Sequence, residues 1–239
     1  MIEKAKQALN KTRCPGGKAK IRRDAAKRTL RTQKSSGRAV QKAGQKAGQT
    51  TRGSQTWIPF ASYCTTGQFM DLENGYKRHC SPTAAVNVVR TLEKGLEKRQ
   101  VPNESSDDMF LRFAGIGRRT RIYWNQDVLG HFGGTSNFLT GIFLRSCLRA
   151  EGFGKNVRVR FHPWITADAV ERALEEGAII LLQVYHHPKY KNHHMLCYAC
   201  RRTDAGEREF LLADGWKPGP LWVDERALGH GHFLTINPA

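Results

Sequence analysis

Acidic residues are scarce in this chain: 21 Asp and Glu stand against 39 Lys and Arg in 239 residues, a net charge of +18. Long apolar runs are missing as well. The longest, Ala178-Ile179-Ile180-Leu181-Leu182, falls far short of the roughly 18–20 residues of a membrane-spanning helix, so no transmembrane segment is expected. The first residues are charged every few positions and never offer the apolar stretch of about 7–15 residues that a signal peptide requires. A cytoplasmic location is the expectation. The six cysteines (Cys14, Cys64, Cys80, Cys147, Cys197 and Cys200) are too dilute and too irregular for a small disulfide scaffold, and mostly free thiols are expected.

Aromatics are absent from residues 1–54, where sixteen Lys and Arg accompany only Glu3 and Asp24, a local charge of +14. With scattered aliphatics and the tandem repeat Gln41-Lys42-Ala43-Gly44, Gln45-Lys46-Ala47-Gly48, this segment cannot bury enough apolar area to offset chain entropy. It reads as a disordered basic tail. Contact with phosphate would release counterions, so a nonspecific anionic partner, nucleic acid or an anionic membrane surface, is a candidate for it. From Trp57-Ile58-Pro59-Phe60 onward aromatics recur and the charges become mixed, so a single domain is expected over 55–239.

The first half of that domain reads as helical. Ala85, Val88, Val89, Leu92 and Leu96 follow the i, i+3, i+4, i+7 spacing of one helix face, with Gly95 near the end. Residues 107–113 and 137–149 show similar spacing, the second with Phe138, Ile142 and Leu148 as its buried stripe and Gly152 as its stop. The glycine-rich stretch 115–134 shows no regular pattern. The second half alternates with a period of two: 157–161 predicts a strand, 167–176 a short helix capped by Thr166, and 178–185 an apolar central strand. Short strands follow over 193–201, 209–213, 221–224 and 233–236. Helices first and strands afterwards predict an α+β domain closed by an antiparallel sheet.

The most informative segment is His79-Cys80-Ser81-Pro82-Thr83-Ala84-Ala85. Pro82 is tolerated only in the first turn of a helix, which places the helix start at Cys80 or Ser81. A thiol at that position meets unpaired N–H groups and the positive end of the helix dipole, which favour a thiolate. Such a nucleophile needs a base and a group to orient it. His193-His194 opens one strand and Asp214-Gly215-Trp216 closes the next, so an antiparallel pairing brings the two ends together. His194 held by Asp214 would free one ring nitrogen for Cys80, and only one of the paired histidines can face it.

Cys80-Ser81-Pro82-Thr83-Ala84-Ala85, His194-Met195-Leu196-Cys197-Tyr198 and Asp214-Gly215-Trp216 together resemble the motifs of papain-like cysteine peptidases of the C39-like group. Ser81 stands where those enzymes usually have Gly. The resemblance spans about residues 57–236. It implies a helical lobe carrying the Cys at a helix N-terminus, packed on an antiparallel sheet lobe carrying His and Asp. It also implies an apolar edge strand over 177–184. The residue roles it implies are Cys80 as nucleophile, His194 as base, Asp214 as orienting residue and Asn74 as side-chain donor in the oxyanion hole. The activity is then that of a cysteine peptidase, a thiol hydrolase that cleaves a peptide or isopeptide bond of a peptide or protein substrate and needs no cofactor.

Two other readings compete. His193, His194, Cys197 and Cys200 have the composition of a zinc half-site, but on a regular strand Cys197 and Cys200 would point to opposite faces and no second pair follows, so no metal is expected. A catalytically silent papain-like binding or adaptor domain with a basic tail is the third.

Overall fold

The structure, a computed structural model, describes residues 56–57, 64–72, 75–95, 105–125 and 134–238. The basic tail, Leu96 and Asn74 therefore lie outside the described residues. The fold is a mixed α+β arrangement, with helices packed on an antiparallel β-sheet.

The chain enters as strand β1 (Thr56–Trp57) and a short helix α1 (Thr66–Phe69), capped by the Thr65 hydroxyl. Helix α2 (Cys80–Gly95) starts at the cysteine, with Pro82 in its first turn, and buries Ala85, Val88, Val89 and Leu92 as the spacing predicts. Helix α3 (Ser106–Arg119) starts from the Ser105 cap with Asp107 and Asp108 in its first turn and ends on Arg118 and Arg119, charges that suit the helix dipole at both ends. It runs six residues past the apolar stretch expected for it, through Gly115 and Gly117. The reason is close packing: a Cβ on Gly117 would sit 2.5 Å from Tyr123 Cβ and 3.1 Å from the Phe143 ring. Tyr123 begins β2 (Tyr123–Trp124), which pairs with β3 (Gly134–Thr135), so the glycine-rich stretch contains a small hairpin that the sequence pattern did not reveal.

Helix α4 (Thr140–Ala150) follows a 3₁₀ turn at Asn137–Leu139. Its buried stripe is Thr140, Phe143, Leu144, Cys147 and Leu148, whereas Phe138 and Ile142 are exposed. Of the expected stripe Leu148 is buried, while Phe138 lies in the 3₁₀ turn; Ile142 and Leu148, six residues apart, stand about 120° apart around a helix of 3.6 residues per turn and cannot share a face.

Strand β4 (Val157–His162), helix α5 (Ala167–Glu175, capped by Thr166), β5 (Ile179–His187), β6 (Lys191–Arg202), β7 (Arg208–Ala213), β8 (Leu221–Asp224) and β9 (His230–Pro238) complete the chain. The strands form a seven-stranded sheet in the order β4-β9-β5-β6-β7-β8, with β1 on β6. Segment 178–185 is thus interior, flanked by β9 and β6, and not the edge strand that the family resemblance implies. Its freedom from charge fits burial between two neighbours.

A β-bulge between Cys197 and Ala199 divides β6. Cys197 pairs with Leu212 and Cys200 with Phe210, two residues apart on β7, so the two thiols share a face instead of opposing each other. That face meets α5, where Cys200 Sγ lies 3.8 Å from Glu171. The opposite face, through His194, Leu196 and Tyr198, meets α2, and the Thr91 and Tyr198 hydroxyls are 3.3 Å apart. Helices thus cover both faces of the sheet, with the core on either side of β5 and β6. Among the described residues, no helix is long and apolar enough to cross a membrane.

Candidate active site

Pro82 and the carbonyl of His79, which accepts the Thr83 N–H at 3.0 Å, fix the first turn of α2 and place half-buried Cys80 at its tip. The loop before it is tied to the β2–β3 hairpin by Asn125, which accepts from Lys77 N at 2.9 Å and donates to Gly75 O at 3.1 Å. On the other side, Asn87 of α2 holds both backbone groups of Cys64. Thr66, two residues on, donates its hydroxyl and its backbone N–H to the Gly215 carbonyl. These bonds link the turn after β7 to the middle of α2 through residues 64–66.

Cys80 Sγ lies 3.3 Å from His194 Nδ1. Strand alternation separates the histidine doublet: His194 faces α2, while His193 Nε2 lies 2.6 Å from the Asp214 backbone carbonyl, its ring against Tyr190 and Trp216.

Asp214 is buried nearby, yet its carboxylate does not reach the His194 ring. Its Oδ1 accepts the backbone N–H groups of Trp216 at 2.9 Å and Lys217 at 3.4 Å, closing the turn after β7. The expected His194–Asp214 pair is replaced for a local reason. β7 ends at Ala213, opposite Leu196, and at the next residue the chain leaves the strand, where an Asp side chain bonds the backbone ahead of it. His194 Nε2 instead lies 3.3 Å from Thr140 Oγ1, the first residue of α4. Thr140 Oγ1 in turn lies 2.9 Å from Gln183 Oε1. Thr140 and Gln183 were missed in the sequence. A lone polar residue inside the apolar run of β5 was the one signal that could have found Gln183.

Burial dominates the electrostatics. It pushes the Cys80 thiol up, against backbone hydrogen bonds at His194, Ser81 and Cys80 and the charge of Arg78. The helix start therefore does not lower the thiol as the sequence position suggested, because desolvation outweighs it. His194 is held down to about 3, first by burial and then by the neighbouring His193 and His232. His193 is lowered by burial, opposed by Asp214, and His79 by burial and by His193. At neutral pH the pair is a thiol beside a neutral imidazole.

The residues of the zinc reading are separately engaged: His194 with Cys80, His193 with the Asp214 carbonyl, Cys197 Sγ with the Ala199 carbonyl at 3.8 Å and Cys200 with Glu171. Among the described residues no group of three or more His, Cys, Asp or Glu side chains is placed to hold a metal ion. The five described cysteines are all unpaired. No protein-family model matches this chain, and no curated protein is detectably similar to it.

Proposed function

We propose that the chain is a cysteine-type hydrolase of papain-like, C39-like character that cleaves a peptide or isopeptide bond. The observation that carries the reading is the contact of Cys80 Sγ with His194 Nδ1 at 3.3 Å, made between the first residue of a helix and the opening of an antiparallel strand. That is the arrangement of a thiol nucleophile and its base.

His194 Nδ1 takes the thiol proton as sulfur attacks the substrate carbonyl carbon. The tetrahedral oxyanion forms at the start of α2, where the first N–H groups of a helix have no intrahelical partner and its dipole is positive. The imidazolium then passes its proton to the leaving nitrogen, the C–N bond breaks, and a thioester remains on Cys80. Water, deprotonated by His194, hydrolyses the thioester, releasing a carboxylic acid and restoring the thiol. Asn74, the candidate side-chain donor for the oxyanion, lies outside the described residues.

A peptide aldehyde tests the reading. It should add reversibly to Cys80 as a hemithioacetal, seen by intact mass after borohydride-free native spray, and Cys80→Ala should abolish the adduct. Adduct formation on Cys147 or Cys197, or an unchanged adduct in Cys80→Ala, would refute it.

A further inference from the structure

The base in this site is oriented by uncharged groups. We propose that Thr140 and Gln183 form a neutral relay that fixes the tautomer and orientation of His194, making them positioning residues for the reaction; this rests on the reading of Cys80 and His194 as nucleophile and base.

The direction of the relay follows from counting protons. Thr140 Oγ1 has a single hydrogen to give, and two acceptors surround it, Gln183 Oε1 at 2.9 Å and the Ser136 carbonyl at 3.4 Å. An oxygen–oxygen approach of 2.9 Å needs a hydrogen between the two atoms and an amide oxygen has none to give, so the hydroxyl proton goes to Gln183 Oε1. The lone pairs of Thr140 then face His194 Nε2 at 3.3 Å, and that nitrogen must carry the ring proton. His194 Nδ1 is left with its lone pair directed at Cys80 Sγ, as a base that accepts the thiol proton requires. Thr140 and Gln183 are 1% and 3% exposed, so water does not compete for these bonds.

The sheet itself sets the spacing. Gln183 on β5 pairs with His194 on β6 and with His232 on β9, so the three side chains stand in one row on the face that meets α2. The 3₁₀ turn before α4 delivers Thr140 onto that row. Gly231, beside His232, lets β9 approach: a Cβ there would collide with the Gln183 carbonyl. Asp214 is left to hold the turn that follows β7.

A hydroxyl and an amide orient an imidazole but bring no negative charge to stabilise its protonated form. The titratable groups near the ring are Cys80 from α2, His232 from β9 and, with its own ring turned to the other side of β6, His193; α4 brings the Thr140 hydroxyl. The proton accordingly stays on sulfur at rest and crosses during attack.

The test uses the full chain labelled with ¹⁵N-histidine. At pH 7 the His194 spectrum should show an unprotonated Nδ1 and a protonated Nε2. Thr140→Val should erase that preference and slow modification of Cys80 by iodoacetamide about 10²-fold, the lower scale for losing a correctly posed base. Thr140→Ser should restore both, which a packing role for the threonine methyl would not do. Gln183→Leu repeats the test should Thr140→Val fail to fold. Asp214→Asn should leave the His194 nitrogen shifts in place. A protonated Nδ1 in the wild-type chain, or an Asp214→Asn change that moves the His194 signals as far as Thr140→Val does, would overturn the relay. If the tautomer is as stated but no adduct with a peptide aldehyde forms at Cys80, the functional reading fails and the relay stands.

Discussion

Replacing His194 by Asn should make the protein less sensitive to acid, and the size of the effect follows from the burial of the ring. In the folded chain His194 binds its proton only near pH 3, against about 6.5 in an unfolded chain. Between those values the unfolded state holds the extra proton, so the stability that is complete above pH 6.5 is lost as pH falls toward 3. At pH 5 the unfolded ring is almost fully protonated and the folded one almost fully neutral. The difference of about 1.5 pH units below 6.5 corresponds to about 2 kcal/mol. Urea unfolding at pH 7.5 and at pH 5, on the wild type and on His194→Asn, isolates this amount as a difference of differences. His79, His193 and His232 are lowered in the same direction and contribute to both chains, so they cancel. Equal losses in the two chains would show that the ring accepts a proton in the folded state and that the neutral resting pair is wrong.

Two further outcomes concern the scaffold. Gly117→Ala should lower stability by about 1–3 kcal/mol, the scale of overpacking, because the new methyl meets Tyr123 and Phe143 within 3.1 Å, and thermal unfolding will measure it. A chain beginning at Gly53 keeps β1 on β6 and should retain the thermal midpoint of the full chain, whereas one beginning at Phe60 loses that pairing and should melt lower. Its affinity for anionic vesicles or DNA should fall with removal of the +14 charge, measured by co-sedimentation at low salt.

Much of the site was legible because Pro82 constrains the helix start locally and because His194 lies on a strand whose alternation is regular. Neither inference needs distant information. The orienting group was not legible: it depends on which residue of α4 is delivered to the sheet, and that is set by a 3₁₀ turn whose period differs from the helix that follows. Phe138 lies in that turn and is exposed, and Ile142 is exposed on the helix that buries Leu148. Asp214 was a reasonable expectation from strand order, yet its own backbone competes for the carboxylate within two residues. Of the fold, the strands from β4 to β9 were visible through alternation and turn residues. The β2–β3 hairpin was hidden because each strand is two residues long, too short to display any period. The bulge in β6 likewise has no sequence period to announce it, which is why Cys197 and Cys200 were expected on opposite faces.

Helices α2 and α4 begin at the same place. Cys80 is the first residue of one and Thr140 the first residue of the other, and both reach the His194 ring, at its two different nitrogens. The positive ends of two helices therefore converge on one imidazole. Positive charge on that ring is opposed from both edges, and negative charge arriving beside it is welcomed from both. The electric field of the scaffold is thus asymmetric between the two partners: it opposes positive charge on the ring and favours negative charge on sulfur and on the tetrahedral centre once sulfur has attacked. A lone carboxylate beside the histidine would have reversed the first of these biases, at the cost of weakening the second.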